Sequence, residues 1–201
     1  MAVRSRRRHA PAQQERARTC LIAADHYTLC ISKNERLTGK HMHDIERRLT
    51  ALGIELPRAP KAIGNFCLGV ELPGLLLVSG TYGTVVDADD NDVLTVVGKL
   101  GADVTVEDGY RSARLAGINL LAMAKQVVGD LDRIRRVVRI AGMVATSPGF
   151  QNAPSVVNGA SDLMVDVFGA DRGRHARIAF PVHELARDAP VACEAWFQLR
   201  D

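Results

Sequence analysis

The order in which strand-like and helix-like runs succeed one another constrains this chain more than any single motif. From residue 64 onward the sequence reads as two or three β-runs, a long amphipathic helix, a β-run, a second helix and two closing β-runs. This is not the steady strand–helix alternation of a doubly wound fold, and no internal repeat is visible. Two helices can cover only one face of the sheet those strands would make. The other face then needs a second copy of the chain or a closed barrel, and the fold class is α+β.

Each run carries its own signals. HDIERRLTALGIELP predicts a helix with Asp44 as its cap, Ile45, Leu49 and Leu52 on one face, and Gly53 as its stop. FCLGVEL and LLLVSG, joined by Pro73-Gly74, predict a β-hairpin. The loop holding Asp87, Asp89, Asp90 and Asp92 lacks the glycine and the closing glutamate of a calcium loop, so it reads as a solvated turn. VLTVVGKLG predicts a further strand. Thr105 and Asp108 form a capping signal ahead of a helix whose buried face runs from Val106 through Tyr110, Ala113, Gly117, Leu120, Leu121 and Ala124 to Val128, with Gly129 ending it. RIRRVVRIAGMVAT is a Val/Ile-rich strand long enough for the centre of a sheet. A second helix starts at Asn152-Ala153-Pro154 and ends at Gly169, followed by the strands HARIAFPV and APVACEAWFQL.

At 201 residues the chain suits one domain and an appendage. No apolar run is long enough for a membrane helix, so we expect a soluble, cytoplasmic protein with no membrane partner. The net charge of +3 is unevenly placed: residues 1–41 hold nine Lys/Arg against three Asp/Glu, and residues 42–201 seventeen against twenty. A slightly acidic body gives no electrostatic case for gripping phosphate backbones, so nucleic acid is not expected as a partner. Residues 1–41, opening with Arg4, Arg6, Arg7 and Arg8, could be a transit-like peptide or a nucleic-acid tail. The simpler reading is a disordered basic extension or an upstream-start artefact, with the domain proper at residues 42–201. The four cysteines show no CxxC pair, which argues against a disulfide framework or a zinc site, and Cys67 and Cys193 read as small buried hydrophobes. No metal and no cofactor are expected.

The segments KAIGNFCLGVELPGLLLVSGT, VGKLGADVTVEDGY, NLLAMAKQVVGDLDRIRRVVRIAGMV, PGFQNAPSVVNGASDL and VFGADRGRHARIA, taken in order, resemble the RidA/YjgF family, in particular its longer members. The resemblance covers roughly residues 43–200. It implies a chorismate-mutase-like fold and a homotrimer whose sheets form an inner barrel, with ligand clefts between subunits. Better-known members hydrolyse reactive enamines and imines to a 2-oxo acid and ammonia, so the ligand implied is a small 2-oxo or 2-imino acid. A substrate carboxylate calls for a planar, permanently charged, bidentate donor, which is Arg rather than Lys. Arg177 matches the family's substrate-binding arginine. Asn158 matches a cleft-side asparagine, and Gly80 a position whose backbone lines the pocket, where a glycine permits close approach.

Three positions depart from the deaminating members. Phe66 stands where they carry a tyrosine, Ala179 where they carry a cysteine or similar residue, and Ala192 where they carry the glutamate held to position the hydrolytic water. Glu194 lies two residues on and, in a strand, on the same face as Ala192. It is a candidate to act through a second water, although a structural role is favoured. Loss of a positioned acid or base costs ~10²- to 10⁴-fold, so hydrolysis is expected to be slow. His175, just before Arg177, is a candidate for the cleft rim because imidazole titrates near neutral pH. His183 lies in a loop, and Trp196 and Phe197 read as core and interface. The leading expectation is thus a hydrolytic deaminase of 2-imino or 2-enamino acids. A noncatalytic 2-oxo-acid-binding or regulatory trimer is the alternative, and an endoribonuclease ranks below both.

Overall fold

The computed structural model describes residues 44–200. The extension inferred for residues 1–41 lies outside the described residues. A short helix, α1 (Asp44–Ala51), leads into a β-hairpin, β1 (Gly69–Leu72) and β2 (Leu75–Tyr82), and then a small second hairpin, β3 (Thr84–Val86) and β4 (Asp92–Leu94). The long helix α2 (Val106–Val128), the strand β5 (Ile134–Ala145), the helix α3 (Ala153–Phe168), one further turn α4 (Ala170–Gly173), and the strands β6 (Ala176–Val182) and β7 (Val191–Leu199) complete the chain. The main sheet has the order β1-β2-β7-β5-β6. Only β5 and β6 run parallel, joined through α3; all other neighbours are antiparallel. The chorismate-mutase-like α+β expectation therefore holds.

Local chemistry explains most boundaries. Thr105 caps α2 by accepting from the Asp108 amide at 3.1 Å, while its hydroxyl donates to the Asp108 carboxylate at 2.6 Å. Pro154 sits in the first turn of α3, where its missing N–H costs nothing. Both helices lie on one face of the sheet. Leu76, Val78, Ile134, Val137, Ile140, Val144, Cys193, Ala195, Phe197 and Leu199 point at them and are buried. Gly159 lets α2 and α3 close together, because a Cβ there would stand 2.0 Å from the Tyr110 carbonyl oxygen. The alternation in β7 leaves Ala192, Glu194, Trp196 and Gln198 on the face the helices do not cover. β6, with Ile178 43% exposed, forms a free edge.

Several sequence expectations need correction. β7, not β5, is the middle strand, because β2 and β5 pair with its two sides. VLTVVGKLG is not one strand: only its start belongs to β4, and the chain then turns at Gly98 and Gly101, whose φ values of +107° and +82° are left-handed. Leu52 is 43% exposed because α1 ends at Ala51, and Ile54 packs on the core instead. Cys67 is exposed, since regular pairing begins only at Gly69 on the outer strand; Cys193 is buried, and burial pushes its thiol up to about 12. The acidic loop is tied down rather than simply solvated. Asp90 pairs with Arg58 and Lys61, and Asp92 with Arg58 at 2.9 Å.

Candidate functional site

Where β2 bulges between Val78 and Thr81, the sheet opens onto a cavity of about 650 Å³. Its size lies in the range of small-molecule pockets. Ala192 of β7 lies in its wall, paired with Tyr82 on one side and Met143 on the other. Phe66, Ile63, Leu68, Met123 and Leu185 supply most of the remaining apolar lining. Gly80 lines the cavity on the bulge itself. Nothing in the chain's own packing demands glycine there, because the nearest atom to an added Cβ is the Cys193 carbonyl oxygen at 4.0 Å. The cavity's polar rim is the ionic tie of the acidic loop. Lys61 Nζ donates to Asp90 at 2.6 Å, and Arg187, itself left-handed at φ +63°, donates to the Asp92 carbonyl at 2.5 Å. Hydrogen bonds from Lys61 and then Arg58 hold the Asp90 carboxyl below the usual carboxylate range.

Arg177 is elsewhere. On β6 it pairs with Ile140 of β5 and, like the buried Ile140, points to the helix side of the sheet. One of its nitrogens, Nη1, donates to Asn158 Oδ1 at 2.5 Å and to Ser161 Oγ at 3.2 Å, both on α3. Among the described residues its other guanidinium nitrogens donate to no protein acceptor, and the side chain is exposed. Ser161 also meets His175 Nε2 at 3.1 Å, and His175 Nδ1 lies 2.6 Å from the Gly173 carbonyl. That carbonyl can only accept, so Nδ1 carries the proton and Nε2 accepts from the Ser161 hydroxyl. Burial, with the nearby Arg177 charge adding to it, holds His175 below its ordinary pKa and keeps the imidazole neutral. The result is a directional chain in which His175 orients Ser161, and Ser161 and Asn158 orient Arg177.

The sequence-derived candidates therefore fall into two groups. Phe66 and Gly80 meet at the cavity beside Ala192, while Arg177, Asn158 and His175 meet at the β6 edge. His175 is half-buried just before β6 rather than within the strand. Ala179 packs against the core on the helix side. Glu194 lies two residues beyond Ala192 on the uncovered face, where it meets Arg139 at 3.5 Å; that arginine lies over the Trp196 ring at 5.4 Å. Sequence reasoning missed Ser161, although its place three residues after Asn158, one helical turn on, was a usable signal. The rim residues Arg58, Lys61 and Arg187 had no local signal, because their partners lie 29 to 95 residues away.

Residues 46–190 match the family described as "YjgF/chorismate_mutase-like, putative endoribonuclease". The chain belongs to the YjgF family. Among its relatives, protein TCP17 of Trypanosoma cruzi is 37% identical over 162 residues, which is 78% of this chain and 95% of that one. Among solved structures, the Agrobacterium tumefaciens protein Atu1372, whose function is unknown, is 36% identical with a TM-score of 0.69 over 78% of this chain and 93% of its own. A Shewanella oneidensis protein bearing the same endoribonuclease label is 32% identical with a TM-score of 0.71, over 77% and 99%. Among the described residues of this family member, no helix is long and apolar enough to cross a membrane.

Proposed function

We propose that the protein is a homotrimer that binds small 2-oxo or 2-imino acids in clefts between protomers and hydrolyses the imines slowly. The observation that carries this is the state of Arg177: tethered through one nitrogen, with the rest of its fork exposed beside a free sheet edge. A guanidinium so held is prepared for a carboxylate. Arg177 and Ala192 lie on opposite faces of the sheet, separated by two strand spacings and by the three residues from Ile140 to Met143 along β5, roughly 14 Å in all. A small ligand therefore reaches both only if the arginine of one protomer meets the cavity of another. A trimer closing on the uncovered face would also bury Trp196 and the apolar part of β6.

The reaction follows from what remains in the site. Arg177 clamps the carboxylate and draws electron density away from the adjacent C=N carbon, while water attacks that carbon and ammonia leaves. Ala192 offers no base, so the water is oriented only by polar groups around it, such as Tyr82, Thr81 and the Gly80 backbone. We assign Glu194 to holding Arg139 rather than to catalysis. The test is loss of a dehydratase-generated imine: purified protein should accelerate it beyond buffer and ammonia, and Arg177→Ala should abolish the acceleration.

The absence of a carboxylate at position 192 favours one second reading, a binding module that senses a 2-oxo acid without turning it over. Calorimetry with 2-oxobutyrate separates the two, since saturable binding without imine hydrolysis supports the module. The endoribonuclease label of relatives finds little support in this body, where acidic residues outnumber basic ones.

A further inference from the structure

We infer that Ser161 and His175 form the proton-accepting arm of the site: Ser161 takes a proton from the attacking water and passes its own to His175 Nε2. This rests on the carboxylate reading of Arg177 and supplies the base that Ala192 cannot. The valences of Ser161 carry the argument. A hydroxyl has one proton and two lone pairs. The proton goes to His175 Nε2 at 3.1 Å, and one lone pair accepts from Arg177 Nη1 at 3.2 Å. Among the described residues Ser161 Oγ makes no other hydrogen bond, so its second lone pair is left for a water. His175 is fixed for the task, because Nδ1 donates to the Gly173 carbonyl at 2.6 Å and Nε2 keeps its electron pair towards Ser161. A carboxylate on the exposed edge of the Arg177 fork places its neighbouring carbon, C2, about one water away from Ser161 Oγ, within the reach of general-base catalysis.

The oxygen of water bonds to C2 of the protonated imine while the C=N π pair moves to nitrogen; one water proton goes to Ser161 and the serine proton to His175. The imidazolium then returns its proton through Ser161 to the amine. The C–N bond breaks with its pair going to nitrogen, and the hydroxyl proton leaves with the ammonia as ammonium. Only a neutral imidazole can accept, and burial, with the Arg177 charge adding to it, holds His175 below its ordinary value. The other charged groups nearby are engaged elsewhere or face solvent. On α3, Asp162 meets Tyr110 and Asp166 meets Arg114 of α2. Arg172 of α4 donates to the Ile134 and Arg135 carbonyls, and Arg136 of β5 to that of Arg174. Arg139 meets Glu194 on the uncovered face, while Asp171 and Arg174 are exposed. The acceptor is therefore present at neutral pH and is lost as pH falls from about 6.5 through the depressed pKa.

The test is the pH profile of imine hydrolysis by the full chain and by His175→Gln, with 2-oxobutyrate calorimetry alongside. A glutamine carbonyl still accepts from Ser161 and keeps Arg177 oriented, but it takes up no proton. The variant should bind 2-oxobutyrate within about twofold of wild type, hydrolyse the imine about 100-fold more slowly, and lose the fall in rate below pH ~6.5. Ser161→Thr, which keeps the hydroxyl, should retain the wild-type profile, and Ser161→Ala should lose it; this pair decides the matter if His175→Gln does not fold. A His175→Gln protein with the wild-type rate and profile would overturn the relay and leave the carboxylate reading standing. So would one that loses binding and rate together, since His175 would then only hold Arg177 in place. Wild-type protein that binds 2-oxobutyrate without hydrolysing the imine would overturn the relay alone, and one that does neither would overturn both.

Discussion

Replacing Arg177 should weaken 2-oxo-acid binding in a pattern that its tethering dictates. Nη1 is already committed to Asn158 and Ser161, so the remaining edge of the fork can give a carboxylate two charge-assisted hydrogen bonds. Such bonds contribute about 1.5–3 kcal/mol each, and the exposure of the side chain argues for the lower end. Two of them sum to about 3 kcal/mol, or roughly 150-fold in Kd for Arg177→Ala. Arg177→Lys keeps the charge and loses the fork, so about half that energy should return, leaving a deficit of roughly tenfold. Asn158→Ala leaves the guanidinium present but held only by the longer bond to Ser161. The cost is then the ordering of one long side chain, about 0.5–1.5 kcal/mol or roughly 3- to 10-fold. Calorimetry with the preferred acid, run on all three variants after a check of folding by circular dichroism, reads these differences. If Arg177→Ala binds as the wild type does, or Asn158→Ala loses as much as Arg177→Ala, the orienting chain has been misassigned.

The other predictions concern the cavity, the helix crossing and the buried imidazole. Ala192→Glu restores a carboxylate beside the cavity and should raise imine hydrolysis by up to about 100-fold, measured as loss of a dehydratase-generated imine; a folded variant with unchanged rate would remove position 192 from the reaction. Gly159→Ala forces a methyl group to within 2.0 Å of the Tyr110 carbonyl and should cost about 3 kcal/mol, a fall of roughly 6–12 °C in Tm. An unchanged melting temperature would show that the helices separate freely there. His175 has a folded pKa below its ordinary value near 6.5, so the unfolded chain takes up its proton first as pH falls. Its contribution to stability is thus present above that value and is lost as pH drops from about 6.5 through the depressed folded pKa. His175→Ala should therefore flatten the pH dependence of Tm between neutral and mildly acidic buffer. An identical slope in both proteins would contradict the buried, neutral imidazole.

Much of the architecture is legible in the sequence, because it is written in short-range chemistry. Thr105 with Asp108, Pro73-Gly74, Pro154 and Gly169 each set a boundary through hydrogen bonds or backbone angles a few residues wide. The 3.6-residue rhythm of α2 and α3 fixed which faces are buried, and the shortage of helices foretold an uncovered sheet face. Where sequence reading failed, the deciding partner was distant. VLTVVGKLG has strand composition, yet the Gly98 amide bonds to the Asp188 carbonyl and that of Leu100 to Ala145, which pulls the segment away from β4. Asp90 and Asp92 looked like a solvated turn because Arg58, Lys61 and Arg187 approach them from other parts of the chain.

The candidate site divides along the same line. By its residue types alone the sequence supplied a permanent cation in a strand with a histidine near it, and the family resemblance added the asparagine and an alanine where an acid was expected. Tertiary structure alone decided that Arg177 and Ala192 lie on opposite faces of one sheet. It follows from the parallel β5–β6 pairing and the antiparallel β5–β7 pairing, whose registers set Arg177 opposite Ile140 and Ala192 opposite Met143. Register between strands far apart in sequence is a property of the assembled sheet, since a slip of one residue turns every side chain to the other face.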